Sequence, residues 1–381
     1  MLVAMLSCAF TACEKNEPAP DKDPHDTIQR TVMIYMLADN NLDSYDFDTK
    51  NINSIKSAFG ENAIDGRMII FKSSLDQEKC ILEIAKKSND LVFVDTLKHY
   101  NSDIDPTDPA TMRQIFTDMH TLAPAHSYGL IMWSHATGWL PDNHYYKAPA
   151  RTPQHAFGRE GNSVKSIDIN EIRTALADFH FDFILFDACL MASVEVAYEL
   201  RNICDYIIAS PTETMGDGHP YYEMTPMLYD NTIDYIKVCE AYTDLYITNP
   251  SNDMSGTIAL INTHHLEELS ALCRTIVAGR DEDIARINTS QIQYYDRKMT
   301  HVFFDLEHYL RQLTDEAQHE ALLKVMDKVV PYKAHSRKFL TVTIKNYCGL
   351  SCYIPGSSNN SVVEDYYSLL QWSEDVYGVN N

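Results

Sequence analysis

The 381-residue sequence predicts an α/β fold with a mostly parallel central sheet, and three observations carry that expectation. Apolar runs of strand length recur along the chain. These runs are continuous rather than alternating, the pattern of strands buried on both faces. Segments of helical spacing lie between them, as crossover connections require. Composition fits the same class, with 45% hydrophobic and 22% charged residues, and the length suffices for one large domain plus a smaller one. The 54 acidic residues outnumber the 31 Lys and Arg, giving a net charge of −23. A nucleic-acid binder needs a basic face, so that class is excluded. The acidity suits a soluble surface, and part of it suits attraction of basic substrates.

In chain order, residues 1–12 form a short apolar segment of the processing type, too short to span a membrane. Phe10-Thr11-Ala12-Cys13 resembles a bacterial lipobox, which makes Cys13 the expected lipidation site; Leu6 makes Cys8 a poorer one. Residues 13–28 are a Pro-rich polar tether that has too little apolar surface to fold. Thr31 to Leu37 is the first buried strand, and Ala38 to Asp43 is a polar turn. Similar strands are expected at Arg67 to Lys72 and Leu91 to Thr96, with helices near Asn51 to Ile55 and Met112 to Leu122. Tyr128 to Trp133 and Phe181 to Phe186 are two further strands, the second followed by a helical stripe of Met191, Val194, Ala197 and Tyr198. Residues 140–165 read as a long loop, a feature usually tied to function in a compact domain. The pattern changes near residue 255. The expected organisation is therefore a large α/β domain at 29–254 and an α+β subdomain at 255–381, with helices at Leu266 to Arg280 and Ala317 to Val329.

Two reactive residues stand at matched positions. His135 follows the strand ending at Trp133, and Cys189 follows the strand ending at Phe186, each at the carboxyl end where open α/β sheets gather their chemistry. A nucleophilic cysteine needs a base to take its proton and hydrogen-bond donors for the oxyanion it creates. A strand-to-helix turn offers unsatisfied backbone N–H groups for the second task. Alone, a cysteine is usually a small buried hydrophobe. The 54-residue separation, with histidine first, is close to the caspase-type order and leaves room for a crossover between neighbouring strands. Nine cysteines include no CxxC pair, and export would permit disulfides among them, with one of the seven beyond Cys13 left unpaired. His264-His265 lacks the HExxH pattern, and no GxSxG elbow or phosphate-binding loop occurs.

The segments TVMIYMLADNNLD (31–43), WSHATGW (133–139), DACLMASVEVAY (187–198), Phe304-Asp305-Leu306 and Gly349 to Pro355 resemble the clostripain family of cysteine peptidases, here in the lipoprotein form of a Gram-negative bacterium. The resemblance implies a caspase-like α/β/α sandwich and a dyad of Cys189 as nucleophile and His135 as base. It implies cleavage after Arg or Lys, with Asp187 in the primary specificity pocket and Asp217 as a second candidate there; Asp187 is also placed to cap the following helix. Backbone N–H groups of Ala136 and Cys189 would form the oxyanion hole. The family commonly has Gly after the histidine, and Ala136 would strain a left-handed backbone there. Self-cleavage is implied between the dyad residues, where Lys147, Arg151, Arg159 and Lys165 are candidates and Lys147 comes first. No cofactor is required; calcium helps some family members, and Asp39 to Asp48 offers oxygen ligands without EF-hand spacing. Partners would be peptide substrates and, through the lipid, an outer membrane; nucleic acid is not expected, and the chain would be a monomer. The competing expectation is a degenerate lipoprotein that binds peptides or glycans without cleaving them, favoured by Ala136 alone.

Overall fold

The computed structural model describes residues 28–76, 78–86, 91–141, 157–160, 165–249, 255–297 and 300–378. The signal segment, the tether with Cys13, and the self-cleavage candidates Lys147 and Arg151 lie outside the described residues.

Twelve strands are labelled in chain order: β1 (Arg30–Leu37), β2 (Arg67–Ser73), β3 (Lys79–Lys86), β4 (Val92–His99), β5 (Ser127–Trp133), β6 (Phe157–Glu160), β7 (Lys165–Ile167), β8 (Phe181–Asp187), β9 (Cys204–Ala209), β10 (Thr257–Asn262), β11 (Phe304–Asp305) and β12 (Tyr332–His335). Nine of them make one sheet in the order β12-β10-β9-β8-β5-β1-β2-β3-β4. The central pairs β2-β1, β1-β5, β5-β8 and β8-β9 are parallel. The flanks close antiparallel, through β3 and β4 on one side and β10 and β12 on the other.

Because both faces of the central strands are covered, their runs are apolar throughout rather than alternating. Their side chains divide between two cores by the strand's period of two. Met33, Tyr35 and Leu37 of β1 face one core, and Val32, Ile34 and Met36 face the other. The first core is roofed by α3 (Pro109–Leu122), α4 (Ile169–Leu176), α5 (Val194–Leu200) and α8 (Leu266–Val277). The second is roofed by α2 (Phe47–Glu61), α6 (Tyr221–Met227) and α7 (Tyr235–Thr243), while α1 (Asn41–Ser44) is a single turn after β1. The result is an α/β/α sandwich of caspase-like type, as expected. Local signals start these helices: Asp108 caps α3 by accepting from the Thr111 N–H at 2.8 Å, ahead of Pro109 at the first helical position.

The chain beyond residue 254 continues the same body. β10 pairs with β9, β12 pairs with β10, and Phe303, Tyr353 and Trp372 belong to the first core. Apolar runs announce strands but not their neighbours, so the edge of the sheet was hidden in the sequence. Within residues 140–165, β6 and β7 pair antiparallel, placing Arg159 in β6 and Lys165 at the start of β7. Among the described residues seven cysteines are all unpaired thiols, and only Cys189 is not fully buried. None of the described helices is long and apolar enough to cross a membrane.

Candidate active site

Strand register builds the site. Trp133 of β5 lies directly beside Asp187 of β8 in the parallel ladder. Each reactive residue then follows two positions later, His135 after Trp133 and Cys189 after Asp187, so the pair emerges side by side at the carboxyl edge. Both line one cavity of about 450 Å³, together with Asn41, Ala136, Asp187, Glu213, Thr214, Arg297 and Phe303. That size suits a side chain or a small ligand.

Cys189 sits on a turn, not on a helix end. Its successor Leu190 has φ of +64°, a conformation that costs a branched residue energy and tends to occur at functional positions. The turn is held by the Leu190 N–H donating to the Thr212 carbonyl at 2.8 Å and the Ala192 N–H donating to Ser210 at 3.0 Å. Helix α5 starts only at Val194, capped by Ser193, whose hydroxyl accepts from the Val196 N–H at 3.2 Å. The helix-end donors anticipated at Cys189 are therefore turn donors, and Asp187 does not cap this helix. The Thr214 N–H points at Cys189 Sγ at 3.4 Å, with Thr214 Oγ1 at 3.7 Å. Burial pushes the thiol up to about 11, the nearby Glu213 and Asp187 charges add to this, and the Thr214 hydrogen bonds oppose it.

His135 is fixed from the neighbouring strand. Its Nε2–H donates to Asn41 Oδ1 at 2.8 Å, and its carbonyl accepts from the Gly158 N–H at 3.0 Å. Ala136 is not among the non-glycine residues with positive φ; in the WSHATGW turn the left-handed position falls on Gly138, at φ +63°. Neither the Ala136 nor the Cys189 N–H is engaged in a turn or cap hydrogen bond among the described residues.

Asp187 is nearly buried, at 6% exposure, and lines the cavity. Its Oδ2 accepts from the His219 N–H at 3.2 Å and from the Tyr221 hydroxyl at 2.9 Å. Both donors are neutral: the His219 donor is a backbone amide, and burial, with the Asp187 charge adding to it, drives the Tyr221 phenol well above its usual range. Gly218, at φ +77°, permits this approach, since a Cβ there would lie 2.6 Å from Asp187 Oδ2. Asp217 is placed differently. It is exposed, does not line the cavity, and contributes its carbonyl to Asn51 at 3.0 Å.

The structure adds residues that spacing did not reveal. Glu213 lines the cavity and pairs with Arg297, Oε1 to Nε, at 2.9 Å. Burial raises the Glu213 carboxyl, and the guanidinium works against it. Arg297 is held by a loop whose Asp296 carboxylate accepts from the Val302 and Phe303 N–H groups at 2.9 and 3.1 Å. Two of the acidic residues considered for calcium have protein partners. Asp43 accepts from the Leu75 N–H at 2.8 Å and Asp48 pairs with Lys72 at 2.7 Å. Among the described residues no group of three or more His, Cys, Asp or Glu is arranged to hold a metal ion.

A cysteine and a histidine at adjacent strand ends of a caspase-like sandwich are the arrangement of one class of cysteine peptidase. The model of the clostripain family matches residues 34–379, and the chain belongs to that family. Among solved structures it is similar to an inactive zymogen C11 protease from Parabacteroides distasonis, with 29% identity, TM-score 0.79, and coverage of 92% of this chain and 98% of that one. It is equally similar in fold to a secreted C11 cysteine protease from Bacteroides thetaiotaomicron, at 26% identity, TM-score 0.79, and coverage of 92% and 99%. A clostripain from Bacteroides thetaiotaomicron in complex with the peptide inhibitor BTN-VLTK-AOMK matches at 27% identity and TM-score 0.50, over 56% of this chain and 96% of that one. A search of curated proteins found no match.

Proposed function

We propose that this cysteine peptidase is an endopeptidase that cleaves after Arg or Lys, with Cys189 as nucleophile and His135 as general base. His135 takes the Cys189 proton as the sulfur attacks the scissile carbonyl, since burial raises the thiol and disfavours a standing thiolate. The Ala136 and Cys189 N–H groups receive the oxyanion. His135 then gives its proton to the leaving amine, and a water that it deprotonates hydrolyses the acyl-enzyme and restores the thiol.

The observation that carries the specificity is the state of Asp187. It is a cavity-lining carboxylate whose two hydrogen-bond donors are neutral, and no described cation is paired with it. A buried carboxylate of this kind gains most from an entering guanidinium or ammonium. Asp217, exposed between the cavity-lining Gly216 and Gly218, is kept as the second candidate for the same preference. The lysine of the VLTK inhibitor named for the Bacteroides clostripain supports the same preference. Self-cleavage between the dyad residues, first at Lys147, belongs to this proposal, as does anchoring in an outer membrane through Cys13; an intact mass of the purified chain reads both. No observation favours a binding protein without catalysis, since Ala136 does not adopt the backbone that would have strained it.

The test uses the protein and its Cys189→Ala variant with reporter peptides ending in Arg, Lys, Asp or Leu. Cleavage after Arg and Lys by the first protein alone is expected. Cleavage that survives in the variant contradicts the nucleophile, and preference for Asp or Leu contradicts the role of Asp187.

A further inference from the structure

The turn after β1 reaches the cavity from a third strand. Leu37, the last residue of β1, offers its carbonyl to two donors at once: Asn40 Nδ2 at 3.0 Å and Ser134 Oγ at 2.8 Å. Asn40 also caps α1, its Oδ1 accepting from the Leu42 N–H at 2.9 Å. One carbonyl thus ties together the residue before Asn41 and the residue before His135. Asn41 follows this anchor into the cavity lining, where its Oδ1 lies 2.8 Å from His135 Nε2.

An amide oxygen only accepts, so this contact requires the proton of a neutral imidazole to sit on Nε2 and its lone pair on Nδ1. We propose that Asn41 is a positioning residue for the reaction, holding His135 in the tautomer and ring orientation in which Nδ1 takes the Cys189 proton. This rests on the assignment of His135 as base. When the imidazolium forms, the Asn41 carbonyl dipole stabilises the Nε2–H without becoming charged itself, the task that a carboxylate performs in the serine triad. A neutral partner leaves the imidazole a weaker base than a carboxylate would. The other titratable groups lining the cavity are Tyr45, Asp187, Cys189, Glu213, Asp296 and Arg297, so a charge placed at Asn41 would be new to its turn's contact with the ring.

Two variants test the proposal, with His135→Ala as reference and with thermal unfolding to confirm that each is folded. Asn41→Ala should lower kcat by roughly ten- to a hundredfold with KM little changed, since orientation and not substrate binding is lost. Asn41→Asp keeps an acceptor at the ring and adds a charge. It should recover much of kcat and move the acidic limb of the kcat/KM profile upward by about one pH unit. An Asn41→Ala enzyme with unchanged kcat and pH profile, or one impaired only in KM, overturns the positioning role. Full activity in His135→Ala would instead overturn the assignment of the base itself.

Discussion

At the scale of single residues, the backbone after His135 bears on how the oxyanion is received. Alanine in place of glycine would matter if that position needed positive φ, but the turn takes its left-handed residue at Gly138 instead. Ala136→Gly should therefore leave kcat/KM within about twofold, and its added unfolded-state freedom should lower stability by about 0.5–1 kcal/mol. Steady-state kinetics and a denaturation curve read the two effects separately. Asp187 makes the opposite prediction. Asp187→Asn keeps an acceptor for Tyr221 and His219 but removes the charge, so kcat/KM for Arg and Lys peptides should fall by about a hundredfold or more, the scale of a lost charge-assisted contact. An equal loss with a neutral peptide would mean that Asp187 supports the fold and not the specificity. Of these site residues His135, Cys189, Ala136 and Asp187 were legible in the sequence, because motif and strand-end position mark them. Asn41 lay in a segment that read as a turn. Glu213 and Arg297 reach the cavity of Cys189 only through the fold, so local pattern carried no sign of them.

At the scale of elements, α5 shows how a short helix holds the nucleophile's turn. It has seven residues, all buried, and one side-chain cap. Ser193→Ala would leave the Val196 N–H unsatisfied in a buried setting, at about 1–2 kcal/mol. A melting curve should show a loss of about 2–4 °C, while activity per folded molecule is kept; an unchanged melting temperature would show that the cap contributes nothing. The strands β1, β5 and β8 were visible as apolar runs because burial on both faces removes alternation. β3 escaped notice: Lys79, Glu83 and Lys86 interrupt its apolar residues, and it pairs antiparallel outside the parallel centre. Near the end of the chain Lys338–Phe339 pairs with Val342–Thr343 over only two residues each, because Leu340 turns the chain at φ +47°. Helices at Pro109–Leu122, Leu266–Val277 and Glu316–Val329 came through well, since each carries a clear apolar stripe.

At the scale of the whole molecule, the sheet couples the catalytic edge to the last third of the chain. The Ser351 N–H donates to the Ala192 carbonyl at 2.9 Å, the Tyr353 N–H donates to Glu195 Oε1 at 2.7 Å, and the Gln371 N–H donates to Glu199 Oε1 at 2.6 Å. Glu195 is fully buried, and desolvation raises its carboxyl to about 7, with the Tyr353 hydrogen bond opposing. A carboxyl with a folded pKa above its unfolded value binds its proton more tightly in the native state. Its contribution is fully present below the unfolded value near 4.5 and is lost as pH rises through 7. Glu195→Gln keeps the acceptor for Tyr353 and removes this dependence. Urea unfolding should show the variant more stable at pH 8, by up to about 3 kcal/mol, and little different at pH 4. Equal stability differences at the two pH values would contradict the linkage.

The central claim is that Cys189, alone among the thiols, attacks substrate with His135 as its base. Treatment with an irreversible peptide inhibitor ending in Arg, followed by mass mapping of all the cysteines, tests it most directly. A single adduct on Cys189, much slowed in His135→Ala and blocked by an Arg substrate, is the predicted result. Labelling at another cysteine, or cleavage activity that persists with Cys189 unmodified, would contradict it.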